Sequence, residues 1–126
     1  MTRTIQTALA AFGPILEGPA AVPLVIWPDL REAHDAICNK GVSRSMLMES
    51  FPHLDFSLCS AEWDYEAHSD EAATQRAKKV KADLWECNAM DILIISHRGF
   101  ISYLVDGPVF SPCGVQRFLP MTKSFN

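Results

Sequence analysis

In "DILIISHRGFISYL", residues 91–104, an apolar run stops at Ser96-His97-Arg98-Gly99 and then turns apolar again. A histidine there, ahead of a helix-compatible run over residues 100–105, lies where backbone N–H groups and the positive end of a helix dipole favour an anion. Gly99 lets backbone approach a ligand closely. Arg98 adds a planar fork suited to phosphate or carboxylate. The plainer alternatives are a histidine whose polar atoms are satisfied within a loop and an arginine that points to solvent. A second charged group, Leu30-Arg31-Glu32, follows another short apolar run. Charge returning at the C-terminal end of a strand is where open α/β sheets gather their functional groups.

The elements that would carry these residues follow from periodicity. Residues 2–16 place Ile5, Ala8, Leu9, Phe12 and Leu16 on one stripe of an amphipathic helix, with Gly13-Pro14 weakening its last turn. Residues 22–27 form a continuously apolar run bracketed by prolines, which reads as a buried strand. Residues 33–70 are irregular apart from a short helix over about 43–50, and read as a surface excursion or lid. Ser69 or Asp70 caps a long helix reaching about Cys87, with Ala73, Ala77, Val80 and Leu84 inward. "DILIIS" then reads as a strand buried on both faces. The order helix, strand, excursion, helix, strand predicts an α/β fold with right-handed crossovers and a parallel sheet.

Composition limits the function classes. A chain of 126 residues makes a single domain, and 48% hydrophobic against 21% charged residues marks it as globular. A formal net charge of -4 gives no general attraction to nucleic acid or to an anionic membrane, so neither is expected as a partner. The basic cluster Arg76, Lys78, Lys79 and Lys81 reads as the solvated face of its helix. No apolar stretch approaches the roughly 20 residues that span a bilayer. The four cysteines form no C-x-x-C pair and no signal-peptide layout is present, which points to a reducing, cytoplasmic setting. His34 and Cys38 lack a second ligand pair at zinc spacing, so neither a metal nor another cofactor is expected.

"TRTIQTA" (residues 2–8), "PDLREA" (28–33), "FPHLDFS" (51–57) with Trp63 after it, and "IISHRGFISYL" (94–104) resemble, in order and spacing, successive signatures of the histidine phosphatase superfamily. The resemblance is to its phosphoglycerate mutase-like, fungal-type branch. It implies a three-layer α/β sandwich with a mostly parallel sheet flanked by helices, and phosphomonoester hydrolysis or phosphoryl transfer through a phosphohistidine. By that resemblance Arg3 is the second phosphate-holding arginine, Glu32 the proton donor, and His97 the second histidine, with Gly99 following it.

The departures carry as much weight. No Arg-His-Gly occurs in the 126 residues, and Met1 falls inside the arginine motif, so the resemblance implies an incomplete domain over 1–126 with its nucleophile and first strand missing. His34, His53 and His68 lack the strand-tip and glycine context of His97. Arg98 stands where the family commonly has glycine. The expectation is a truncated chain, inactive as a phosphatase, that holds a small anionic or phosphorylated metabolite. Its open strand edges favour self-association. Two alternatives need no nucleophile. One is an acid–base enzyme (a dehydratase, isomerase or cyclase) in which Glu32 and His97 move protons while Arg3 and Arg98 hold an oxygen. The other is a non-catalytic pseudoenzyme.

Overall fold

The computed structural model describes residues 1–33, 41–62, 69–107 and 110–118. Its helices are α1 (Thr2–Leu16), α2 (Arg44–Ser50), α3 (Asp70–Glu86) and α4 (Arg98–Leu104), with a 3-10 turn at Pro28–Leu30 between α1 and α2.

The helices form where spacing and capping favour them. In α1 the predicted stripe is the inward one, with Ile5 and Ala8 buried. The hydroxyls of Thr4 and Thr7 bond back to the carbonyls of Met1 (2.6 Å) and Arg3 (2.9 Å), satisfying themselves within the preceding turn of the helix. Pro14 lies within the last turn, which stays helical to Leu16 although the proline ring offers no N–H to the preceding turn. Gly18, at φ +108°, then reverses the chain, and the Val22 N–H reaches the Ile15 carbonyl at 2.9 Å.

Ser43 caps α2 by accepting from the Met46 N–H, and Ser69 caps α3 by accepting from the Ala72 N–H at 3.1 Å. Asp70 and Glu71 add negative charge to the first turn of α3, at the positive end of its dipole. One face of α3 consists of small residues, Ala73 and Ala77, followed by Val80. That face lets α4 and the 3-10 turn pack closely against it.

Two apolar clusters result among the described residues. The first gathers Ile5, Ile26, Leu47, Phe51, Phe56 and Cys59, and the second Ala33, Ala73, Ala77, Val80, Phe100 and Leu104. Ile26 belongs to the first while its neighbour Trp27 packs on the second, so this stretch of chain runs along the seam between them. Leu47, Phe51, Phe56 and Cys59 are core residues, so residues 41–62, although largely exposed, anchor four side chains in the interior instead of forming only a surface excursion. The rest of that excursion, residues 34–40 and 63–68 with His34, Cys38, Trp63 and His68, lies outside the described residues.

The α/β expectation is overturned. The described residues contain helices and no strand, so the parallel sheet, the right-handed crossovers and the three-layer phosphoglycerate mutase-like sandwich are absent from them. The histidine phosphatase architecture expected from the motifs loses its frame with the sheet. The physical reason is visible in the two apolar runs. A strand buried on both faces exposes no large side chain, yet Val25 is 62% and Leu93 60% exposed. Both runs continue as irregular backbone beside the helices, with Ile26 and Ile94 turned inward.

Candidate functional site

Glu32 and His97 meet at the seam. Glu32 follows the 3-10 turn, which closes through Leu30 N–H to the Trp27 carbonyl and Arg31 N–H to the Pro28 carbonyl, both 3.1 Å. His97 is the N-cap residue of α4, in extended backbone just before the helix. The Ser96 hydroxyl donates to the Leu30 carbonyl at 2.7 Å and ties the two segments together.

The Glu32 carboxylate is held by its own backbone surroundings. Its Oε1 accepts from the Ala33 N–H (2.7 Å) and from the Phe100 N–H (3.0 Å), the latter in the first turn of α4. The chain's own carboxylate thus fills the helix start where the sequence suggested an external anion. Gly99 sits in that same first turn, and the Ser102 hydroxyl donates to its carbonyl at 2.7 Å. Glu32 Oε2 faces His97 Nδ1 across 4.0 Å, with side chains only 11% and 7% exposed. That gap exceeds hydrogen-bond reach, so the two groups are coupled by charge without being locked together.

On the other side of the ring, the Met1 nitrogen lies 3.4 Å from His97 Nε2. This nitrogen can only donate, so Nε2 accepts and the imidazole proton resides on Nδ1, facing Glu32. Burial pushes the His97 pKa down to about 4, helped by the positive charges of the Met1 amino group and Arg3 and opposed by Glu32. The ring is therefore neutral at neutral pH.

The predicted site residues divide accordingly. Glu32 and His97 are brought together, and Arg3, exposed on α1, is near enough for its charge to act on the ring. Gly99 is part of the helix start that Glu32 caps. Arg98 is exposed at the first position of α4, outside the Glu32–His97 pair, which matches the solvent-facing alternative.

Arg76 is the residue the sequence reading misassigned. Placed with Lys78, Lys79 and Lys81 on a solvated face, it turns inward instead. Its Nη1 donates to the carbonyls of Asp29 (2.9 Å) and Arg31 (3.0 Å), and its Nη2 to that of Glu32 (3.0 Å). Its guanidinium carbon lies 4.5 Å from the centre of the Phe100 ring. Position 76 falls three residues after Ala73 and one before Ala77, within the buried stripe, and that spacing was the available signal. Lys79 does remain outside, bridging Asp29 (2.7 Å) and Asp83 (3.0 Å).

Among the described residues no group of three or more His, Cys, Asp or Glu side chains could hold a metal ion, and no helix is long and apolar enough to cross a membrane. Comparison with protein-family models, with curated proteins and with solved structures gave no match.

Proposed function

We propose that Arg3, Glu32 and His97 form a binding and proton-transfer site for a small anionic metabolite that carries a hydroxyl group. The observation that carries this is the 4.0 Å separation of Nδ1 of the buried His97 ring from an oriented carboxylate oxygen, with the ring proton assigned to Nδ1 from the Met1 contact. A hydroxyl oxygen placed about 2.8 Å from each accepts from Nδ1–H and donates its proton to Oε2. A neutral imidazole suits the donor half of this arrangement, polarising an oxygen without surrendering a charge. Glu32 suits the acceptor half because backbone N–H groups fix its other oxygen. Arg3 supplies the positive charge for the anionic end of the ligand.

This is the acid–base reading. The phosphomonoester hydrolysis or phosphoryl transfer implied by the motif resemblance is a second reading. The cationic Arg3 and Met1 nitrogen near His97 favour it, since they suit phosphoryl oxygens. A reducing, cytoplasmic setting fits both, because Cys59, Cys87 and Cys113 are all free thiols.

The test uses glycerol 3-phosphate, which has both a hydroxyl and a phosphate, against methyl phosphate, which has no free hydroxyl. Glycerol 3-phosphate should shift the His97 ring resonances and bind at least about tenfold more tightly than methyl phosphate. Glu32→Gln should remove that preference, and Arg3→Ala should weaken both ligands. Equal binding of the two would overturn the hydroxyl-directed reading. Release of inorganic phosphate from glycerol 3-phosphate would decide for the second.

A further inference from the structure

Glu32 stands on a stretch of chain with no regular ladder of its own, while His97 stands at the mouth of a short helix. The Ser96–Leu30 and Phe100–Glu32 bonds join the two directly, and α3 packs against both walls. Among the α3 side chains, Arg76 reaches both. The guanidinium of Arg76 donates to three carbonyls on the Glu32 side, those of Asp29, Arg31 and Glu32 itself, at 2.9–3.0 Å. Its guanidinium carbon lies over the Phe100 ring, on the His97 side. Phe100 is fully buried, follows His97 by three residues, and gives its N–H to Glu32 Oε1 at 3.0 Å.

We propose that Arg76 is a positioning residue for the Glu32–His97 pair, its guanidinium clamping the 3-10 turn against α4 and so fixing the carboxylate beside the buried ring. The role rests on the function proposed above but is tested independently of it. It asks for arginine in particular. Several donors in one rigid fork meet three carbonyls while the same delocalised cation lies over an aromatic ring, and a compact ammonium does not match that combination. The alternative is a purely structural part, in which Arg76 stabilises the packing of α3 on α4 without governing the geometry of the pair.

The measurement that separates these is an NMR pH titration of the His97 ring in the folded full-length chain. The charged groups facing the ring are the Met1 amino group and Arg3 from α1 and Glu32 from the turn, and all are unchanged in the variants. The parent protein should titrate near 4. In Arg76→Met the turn loses its three bonds to the α3 guanidinium, the ring gains water, and the midpoint should climb by about one pH unit or more toward the ordinary 6.5. Arg76→Lys, which keeps the charge but not the fork, should fall between. Val80→Ala loosens the same helix packing away from the carbonyls and should leave the midpoint in place.

An Arg76→Met midpoint equal to the parent's overturns the proposal, and so does a Val80→Ala shift as large as that of Arg76→Met. If Arg76→Met does not fold, Arg76→Lys decides by the same comparison: a raised midpoint supports the clamp, and an unchanged one refutes it. The functional reading fails separately, through equal binding of glycerol 3-phosphate and methyl phosphate by the parent protein, and that result leaves the titration comparison intact.

Discussion

At the scale of single residues, His97 ties the fold to pH. The folded chain holds its pKa at about 4, against an ordinary 6.5 for the unfolded chain. Between those values the unfolded state binds more protons, so stability rises with pH across this window. It is lost progressively as pH falls from about 6.5 to about 4, and the full difference is on the order of 3 kcal/mol. Urea unfolding at several pH values, compared with His97→Asn, isolates this contribution, and an acid limb of equal depth in both proteins would refute it. Glu32 acts in the opposite sense on the same ring, because its charge favours the imidazolium. Glu32→Gln keeps an oxygen for the Ala33 and Phe100 N–H groups but removes that charge. The His97 midpoint should therefore drop further below 4 in this variant, and an NMR titration in which it rises instead would mean that the pair is not coupled as described.

At the scale of elements, the helices answer to local rules and the extended runs do not. Ser69 caps α3 through one bond to Ala72, so Ser69→Ala should lower stability by about 1 kcal/mol in urea unfolding. Leu47, with no exposed surface at the centre of the first cluster, should cost about 2–5 kcal/mol on truncation to alanine, depending on how far α2 can settle into the gap. The bounds of α1, α2 and α3 were legible in the sequence because a 3.6-residue stripe and a serine cap are both local signals. The sheet was misread for a related reason. A continuous run such as residues 22–27 reports apolar character without saying which side chains are covered, and only a partner strand makes it a strand. Here Leu24 and Ile26 turn inward while Val25 faces out. The site was legible in part: Glu32 and His97 stood out as charge at the ends of apolar runs. Arg76 did not, because a guanidinium that bonds distant carbonyls looks, in sequence, like one more member of a basic cluster.

At the scale of the whole molecule, the two clusters leave much apolar surface uncovered. Val22 is 52%, Val25 62%, Ile92 45% and Leu93 60% exposed, and Met90 stands almost fully in solvent. Such side chains lose little by facing water singly, but together they lower solubility and favour association between copies. Lysine at two of these positions should therefore change colloidal behaviour without changing the fold. The double variant Val25→Lys and Leu93→Lys should sediment with less concentration-dependent association than the parent. Its stability to urea should stay within about 0.5 kcal/mol of the parent's, as for other exposed substitutions. The two readouts discriminate because they depend on different states of the surface. If these side chains face solvent in the folded chain, the lysines are neutral to stability and only the association changes. A stability loss of about 2 kcal/mol or more would instead mean that Val25 and Leu93 are covered when the protein is folded, by the chain itself or by a second copy, since burying an unpaired ammonium is what produces a cost of that size.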